Sequence, residues 1–254
     1  MITLDFDGIE VFFDDSGLTA DRPGLVHGSL YQGRFYEEPF LRYIQSLKLR
    51  GTYLDIGAFI GTHTVFFSKI CEAERVHSFE PRPSVHARLA SNVGLNGLGD
   101  RVTLHQIALT DTPGELSLTF GGVTNIVPGL RLDDVVSEPV ALIKIDVEGM
   151  EPVVLSGAKR LLRRSRPIVF AEAGTGPEYE AVSRTMKSLG YLSTGRVFNA
   201  TPTYEFVPVP WQRRLMVSAA GRTARRVVPL SVRRRLRRFI PPLHERMLPG
   251  GLES

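Results

Sequence analysis

The amino-acid sequence predicts an α/β fold built on a doubly wound, mostly parallel sheet. From residue 51 onward, short apolar runs alternate with longer segments in which apolar residues recur every three or four positions. The short runs are apolar on both faces, which is typical of parallel strands that helices cover on both sides. We therefore expect strands and helices to alternate across one central sheet.

The first 50 residues are predicted to form a hairpin and a helix that cap this sheet. Residues 2–6 and 9–13 alternate in polarity around an Asp-Gly turn, which favours two antiparallel strands. A loop rich in Gly, Asp and Pro follows, and the apolar spacing of residues 36–47 indicates an amphipathic helix.

Residues 51–210 hold the remaining strands and helices and are predicted to form the main domain. The parallel strands are expected over residues 52–56, 75–79, 102–107, 140–145 and 168–171. The helices are expected over residues 62–71, 84–95, 153–162 and 178–189. An extra strand is predicted at 115–120, and a late antiparallel strand at 203–207.

Residues 211–254 form an Arg-rich tail of different composition. They hold eleven arginines, no lysine and two glutamates, which gives +9, whereas the whole chain carries +4. The first 210 residues are therefore net acidic, so the basic balance does not indicate a nucleic-acid enzyme. A helix over residues 231–240 would place Val232, Leu236, Phe239 and Ile240 on one face, which suits an anionic membrane surface. Packing of that face on protein suits the same pattern.

The expected location is the cytoplasm, at the inner membrane surface if the tail binds lipid. The single cysteine, Cys71, excludes an internal disulfide, which suits a reducing compartment. The first residues are acidic and alternating rather than signal-like, and no apolar run approaches the ~20 residues that span a bilayer.

A glycine turn after the first parallel strand predicts a ligand site. The strand ends at Asp55-Ile56, and Gly57 and Gly61 follow it with GxxxG spacing. This spacing differs from the GxGxxG of dinucleotide folds and from the GxxxxGK of phosphate loops. No Lys or Arg lies between residues 55 and 64 to balance a phosphate. Asp55 instead predicts a ligand with an ammonium and a sulfonium.

Glu80 ends the second parallel strand and is predicted to bind a ribose. It lies 25 residues after Asp55, and Pro81 blocks continuation of the strand. An acid at this place accepts hydrogen bonds from ribose hydroxyls and repels a 2′-phosphate. Ala108, expected to close the third strand, would lie at the adenine edge, although a small core residue fits the same position.

The motifs DIGAFIG, FEPRP, IALTDTPGEL, RLDDVV and KIDVEGMEPVVLSGA resemble the FkbM family of S-adenosylmethionine-dependent methyltransferases. The resemblance extends over residues 36–173 and implies a class I methyltransferase fold with S-adenosylmethionine bound by residues 51–210. It also implies methylation of hydroxyls on sugars, polyketides or related small molecules. By the same resemblance, residues 36–38, Glu37 among them, would close over the methionine end of the cofactor.

The loop after the first strand then supplies most of the expected cofactor contacts. These are Gly57, Ala58, Phe59, Gly61 and Thr62, together with Asp146 at the end of the central strand. Phe59 departs from the family pattern, which has Asn in GANxG, so a side-chain amide contact is not expected there.

Acidic residues at two neighbouring strand ends are the candidate catalytic groups. Asp146 ends the strand at 140–145, Glu148 follows it, and Glu172 ends the next strand. A sugar-like hydroxyl is too weakly acidic to ionise alone, so either a side-chain base or a metal is expected. Asp146 and Glu172 with waters would suit Mg²⁺, and the metal-free reading is slightly favoured. Lys144, two residues before Asp146, is expected to form a buried ion pair with that acid.

His63 is the best candidate base among the six histidines. It lies on the first turn of the helix after Gly61, where the helix N-terminus keeps an imidazole neutral and able to accept a proton. A packing or capping histidine explains the same position equally well. His27 lies in the N-terminal loop and is a second candidate to reach the acceptor.

Three other functions compete with O-methylation of a small, carbohydrate-like or lipid-linked acceptor. A nucleic-acid or N-methyltransferase would use the basic tail for phosphates, but base N-methylases carry an Asn/Asp-Pro-Pro-aromatic motif where this chain has Asp-Val-Glu-Gly. A nicotinamide oxidoreductase needs the other glycine spacing. A non-catalytic, membrane-attached binding module leaves the predicted cofactor residues unexplained. Residues 17–33 and 121–130, both expected to be irregular, would shape the acceptor pocket.

Overall fold

The computed structural model describes residues 1–15, 25–71, 73–120 and 122–210. By internal contacts the chain divides into Met1–Pro208 and Val209–Ser254, and the expectations for the Arg-rich tail lie outside the described residues. The strands are β1 (Ile2–Phe6), β2 (Ile9–Phe13), β3 (Gly51–Ile56), β4 (Ala73–Phe79), β5 (Val102–His105), β6 (Ala108–Leu109), β7 (Gly114–Phe120), β8 (Val123–Leu130), β9 (Val140–Ile145), β10 (Ile168–Glu172), β11 (Tyr191–Phe198) and β12 (Thr203–Pro208). The helices are α1 (Leu25–Tyr31), α2 (Glu38–Ser46), α3 (Thr62–Lys69), α4 (Pro83–Leu95), α5 (Leu132–Val135), α6 (Glu151–Ser156), α7 (Lys159–Ser165) and α8 (Gly176–Ser188).

The central sheet has seven strands in the order β11-β12-β10-β9-β3-β4-β5. The five strands β10, β9, β3, β4 and β5 are parallel to one another. Strands β12 and β11 add an antiparallel edge beside β10. The predicted doubly wound, mostly parallel sheet is confirmed. The strand order reverses between β3 and β9, which is where such sheets bind ligands beyond their carboxyl ends.

Both faces of the sheet are buried, which explains why its strands are apolar throughout. Neighbouring residues of a strand point to opposite faces. Tyr53 packs with the N-terminal hairpin and α2 to α4, whereas Leu54 packs with α5 to α8. Leu142 and Ile143 divide between the two faces in the same way.

The N-terminal hairpin is confirmed and is tied to α4. Asp7 and Gly8 both have positive φ, 51° and 85°, as a tight two-residue hairpin turn requires. Asn96 accepts a hydrogen bond from the Phe12 amide, and Asn92 accepts one from the Asp14 amide. The hairpin thereby covers the face of the sheet that α3 and α4 also cover.

Several predicted bounds were wrong. The helix expected at 153–162 is two helices, α6 and α7, which meet around Gly157. A side chain at residue 157 would overlap the Thr110 carbonyl oxygen, so this junction requires glycine. The strand expected to run to residue 107 ends at His105, so Ala108 does not close it. Ala108 instead begins β6 in a separate three-stranded sheet, β6-β8-β7.

Two segments that were expected to be irregular contain regular structure. Residues 17–33 include α1, and residues 121–130 include β8, which pairs antiparallel with β7 over seven residues. Strand β11 and the one-turn helix α5 were not predicted. In the described part of the chain, none of the helices combines the length and apolar character that crossing a membrane would need.

Candidate active site

A cavity of about 770 Å³ lies beyond the carboxyl ends of β3, β4 and β9, at the point where the strand order reverses. Of the predicted site residues, Asp55, Gly61 and His27 do not line it, and the others do. The lining residues from the sequence prediction are Glu37, Gly57, Ala58, Phe59, Thr62, His63, Glu80, Pro81, Ala108, Asp146, Glu148 and Glu172. The structure thus brings residues from distant parts of the chain to one cavity.

The turn after β3 is held against the end of β9. Gly57 has φ +77°, and a side chain at this position would overlap the carbonyl oxygen of Asp146. The amides of Gly57 and Ala58 both donate to the carbonyl of Phe79, at 3.0 and 2.9 Å. The need for glycine at this position therefore comes from the close approach of the end of β9.

Gly61 lies outside the cavity lining and acts through packing. Its φ is +86°, and a Cβ there would lie 2.5 Å from the Leu89 side chain of α4. Glycine at this position permits a close approach between α3 and α4.

Asp55 also lies beneath the cavity rather than in its lining. Its side chain is fully buried, and its Oδ2 accepts a hydrogen bond of 2.6 Å from Thr64. Its Oδ1 lies 3.5 Å from the Lys144 ammonium. The charge of Asp55 thus faces Lys144 within the protein, and its hydrogen bond with Thr64 joins the end of β3 to α3.

The predicted ion pair of Lys144 is confirmed, and it joins β3 to β9. The buried ammonium lies 3.4 Å from Asp146 Oδ2 and donates to the Gly57 carbonyl at 3.0 Å. Burial by itself would lower the pKa of Lys144, but Asp146 and Asp55 outweigh it and raise that pKa above its usual value. Lys144 therefore stays charged and orients the Asp146 carboxylate.

Asp146 and Glu172 meet at the ends of the adjacent parallel strands β9 and β10, as predicted. Burial, the hydrogen bond with Asp146 and its charge raise the pKa of Glu172 well above its usual range. Burial opposes ionisation of Asp146 too, but Lys144 and the hydrogen bond from Glu172 lower its pKa. The two shifts have opposite directions, as expected for two acids that share one proton through a hydrogen bond from Glu172 to the Asp146 carboxylate.

These two acids do not fit the proposed Mg²⁺ site. Among residues 1–15, 25–71, 73–120 and 122–210, no group of three or more His, Cys, Asp or Glu side chains is arranged to hold a metal ion. The cation beside Asp146 is the Lys144 ammonium, 3.4 Å from its Oδ2. The prediction of Asp146 and Glu172 as magnesium ligands is not supported by this arrangement.

Glu80 lies at the end of β4 and is 2% exposed. Its Oε1 accepts a hydrogen bond of 2.7 Å from Arg82 Nε, and its Oε2 accepts one of 3.2 Å from the Phe59 amide. Arg82 also lines the cavity and was not singled out from the sequence, although it stands two residues after Glu80 in FEPRP. Ribose hydroxyls at Glu80 would therefore share this carboxylate with Arg82.

Phe59 occupies a backbone conformation that phenylalanine rarely adopts. Its φ is +51°, in the left-handed region that Asn and Gly tolerate best. The ring lies between the Arg82 guanidinium, 5.3 Å from the ring centre, and the His27 ring at 6.1 Å. These neighbours explain how Phe59 is held where Asn is the usual residue of the FkbM pattern.

Glu37 lies above the cavity at the start of α2, with φ +57° and a side chain that is 12% exposed. Burial raises its pKa to about 7, with Lys144 opposing and Asp146 adding to the shift. The His63 Nε2 lies 3.5 Å from Glu37 Oε2, and burial together with Lys144 lowers the pKa of His63 to about 4. His63 is therefore neutral, as predicted, and Glu37 faces the cavity without a full counter-charge.

Two further residues, Tyr36 and His27, were expected near the ligand. Tyr36 lines the cavity and stacks on the His63 ring with 6.3 Å between ring centres. His27 is buried beside Arg88, 3.3 Å from its guanidinium, and does not line the cavity. His27 is therefore not in place to reach an acceptor.

Comparison with known proteins gives the context of this cavity. Residues 55–193, more than half of the chain, match the family described as Methyltransferase FkbM domain. A solved FkbM methyltransferase from Methylobacillus flagellatus is similar at a TM-score of 0.52 and 20% identity, over 65% of this chain and 46% of that chain. The chain thus spans about half the length of that protein. This likeness shows the class I methyltransferase fold, as predicted.

Other solved structures are similar at a TM-score of 0.49. A putative rRNA methylase from Clostridium thermocellum is 16% identical over 71% of this chain and 94% of that chain. An S-adenosylmethionine-dependent O-methyltransferase from Thermotoga maritima is 12% identical over 74% of this chain and 72% of that chain. None of the curated proteins compared with the chain matches it in sequence.

Proposed function

The chain belongs to the FkbM methyltransferase family, and from this premise we propose that it methylates a hydroxyl group of a small molecule with S-adenosylmethionine. The observation that carries the proposal is the shared cavity: a buried acid at the end of β4, Glu80, and an acid pair at the ends of β9 and β10 face the same space. The first position suits a nucleoside, and the second suits proton transfer from an acceptor.

The described residues fit the cofactor. Glu80 would accept the ribose hydroxyls beside Arg82, and the turn at residues 57–59 with Thr62 and Pro81 would enclose the sugar. Ala108 leaves room for the adenine edge. Glu37, a nearly buried carboxylate without a full counter-charge, would take the ammonium of the methionine moiety.

Bound S-adenosylmethionine supplies an electrophilic methyl group. Asp146, held by Lys144, would accept the hydrogen bond of the acceptor hydroxyl and then its proton. An alcohol oxygen becomes strongly acidic as it gives up a lone pair to carbon, so a carboxylate with a lowered pKa is still basic enough. Glu172 would position Asp146 by donating a hydrogen bond to it while keeping its own proton. Glu148 and the neutral His63 would complete the wall around the acceptor.

The test combines ligand binding with turnover. Calorimetry should detect S-adenosylmethionine or its demethylated product, and nicotinamide dinucleotides should bind far more weakly. In a methyl-transfer assay against hydroxylated glycosides and lipids, Asp146→Asn should abolish turnover while circular dichroism stays unchanged. A chelator should leave the wild-type rate unaltered.

Three results would contradict the proposal. Tight NAD binding without S-adenosylmethionine binding would refute the cofactor assignment. Wild-type rates in Asp146→Asn would refute the role of the acid pair. Loss of activity on chelation with rescue by Mg²⁺ would replace the side-chain base by a metal.

A further inference from the structure

A second, smaller cavity of about 240 Å³ adjoins the first at its acceptor end. The two cavities share Glu148, Glu172 and Thr201 in their walls. The smaller one lies between the loop that follows β9 and the N-terminus of α8. An acceptor whose hydroxyl reaches Asp146 and Glu172 would extend into this space.

The wall of the smaller cavity is strongly acidic. It includes four glutamates, Glu148, Glu151, Glu172 and Glu178, and none of its described lining residues is Lys or Arg. Lys144 lines the larger cavity and is held between Asp55 and Asp146. The acidic wall is thus left without a cation from the described part of the chain.

Glu151 provides a second observation that points to a ligand at this wall. It is 1% exposed, and its Oε1 accepts hydrogen bonds from the amides of Val147, at 2.9 Å, and Gly149, at 3.4 Å. Its Oε2 is buried and has no hydrogen-bond partner. A buried carboxylate oxygen without a donor is costly, and a donor carried by the acceptor would relieve that cost.

Glu178 also lines the smaller cavity, and only one of its two carboxylate oxygens accepts a hydrogen bond within the start of α8. Its Oε2 accepts a hydrogen bond of 3.0 Å from the Thr175 amide, as part of a capping box at the start of α8. Its Oε1 lies 3.9 Å from the position of a Cβ on Gly149. The charge of Glu178 therefore faces the loop that carries Glu148 and Gly149.

From this arrangement we infer that the smaller cavity binds a protonated amine, so that the acceptor is a hydroxylated amine such as an amino sugar. The inference rests on the proposed function for the reaction but makes a separate claim about the acceptor. A phosphate or carboxylate would be repelled by the carboxylates of Glu148 and Glu178, and a neutral polyol would leave their charge unbalanced. A divalent metal lacks a suitable cluster of ligands in the described chain.

Binding of two matched probes tests the inference. Methyl glucosaminide carries a protonated amine, and its N-acetyl derivative carries a neutral amide on the same ring. Calorimetry with protein saturated with S-adenosylhomocysteine should show about tenfold tighter binding of the amine, as one partly buried charge pair would provide. Glu178→Gln should reduce that preference about two- to fivefold, while a Gln at this position can keep the capping box.

Glu180→Gln is the matched control. Glu180 lies on α8, is exposed and lines neither cavity, so its substitution removes the same charge from the same helix. The amine preference should survive in this variant. Equal affinity for the two probes, no measurable binding of either, or equal losses in Glu178→Gln and Glu180→Gln would each overturn the amine subsite.

The same samples separate this inference from the proposed function. Binding of S-adenosylhomocysteine is measured first, and its absence would count against the methyltransferase cofactor alone. The two probes are then also measured on protein without that ligand, where the amine preference still decides the subsite. Normal S-adenosylhomocysteine binding without an amine preference would overturn the acceptor class and leave the cofactor assignment intact.

Discussion

The raised pKa of Glu37 predicts that cofactor affinity depends on pH. Only the ionised carboxylate attracts the ammonium of the methionine moiety, and this group has a pKa of about 7 in the ligand-free protein. About one-tenth of it is therefore ionised at pH 6 and about nine-tenths at pH 8. Affinity for S-adenosylmethionine should rise about fourfold over this interval, because a bound cation stabilises the ionised carboxylate. The rise is smaller than the gain in ionised Glu37, because the ligand's own α-amino group, with a pKa of about 8, loses part of its charge towards pH 8.

Most of the titratable groups around Glu37 cannot produce this rise of cofactor affinity with pH, because they do not change charge between pH 6 and pH 8. His63, with its pKa lowered to about 4, stays neutral, and Tyr36, with its pKa raised to about 12, stays protonated. Lys144 keeps its charge because its pKa is raised. Glu172 has a raised pKa as well, so a variant is needed to assign the slope to Glu37.

Calorimetry at pH 6, 7 and 8, in buffers of different ionisation enthalpy, measures both affinity and proton release. Binding at pH 7 should release about half a proton, and Glu37→Gln should remove both the release and the slope. Glu38→Gln is the control, since Glu38 pairs with Arg42 at 2.9 Å and does not line the cavity. A flat profile in the wild type, or an unchanged slope in Glu37→Gln, would refute the reasoning.

Three further outcomes are expected. Gly57→Ala should lower the melting temperature much more than Gly33→Ala, because both have positive φ but only Gly57 would also overlap neighbouring main chain; equal shifts in thermal unfolding would contradict the contact with Asp146. Glu80→Ala should weaken cofactor binding by about 1.5–3 kcal/mol for each charge-assisted hydrogen bond lost, and unchanged affinity in calorimetry would remove Glu80 from the site. Removing residues 222–254 should abolish flotation with anionic vesicles at low salt and leave activity on a soluble acceptor intact; equal flotation of both forms would mean that the tail packs on protein.

Much of the fold and the site could be predicted because it depends on local patterns. Apolar runs covered on both faces identify parallel strands, and parallel strands bring their carboxyl ends to one edge. Glu80, Asp146 and Glu172 were predicted at that edge, and the structure places all three in one cavity. The motifs around them also carried the resemblance to the family that the chain belongs to.

What the sequence left open depends on which strands lie side by side. Asp55 and Lys144 are direct partners in the register of β3 and β9, although 88 residues separate them. This pairing places the Lys144 ammonium between the carboxylates of Asp55 and Asp146. No local pattern encodes such a contact, since it follows from strand order and register.

By itself, the sequence determined the strands, the glycine turn and the acids at the strand ends, because these follow from hydrophobic periodicity and the residue types of a turn. Only the tertiary structure decided that the main chain of Asp146 leaves no room for a side chain at Gly57 and that Arg82 donates a hydrogen bond to Glu80. It also decided that four glutamates, Glu172 of the acid pair among them, line one smaller cavity. These features arise where separate loops meet at one edge of the sheet. Their energies depend on burial and on distances between groups far apart in the chain.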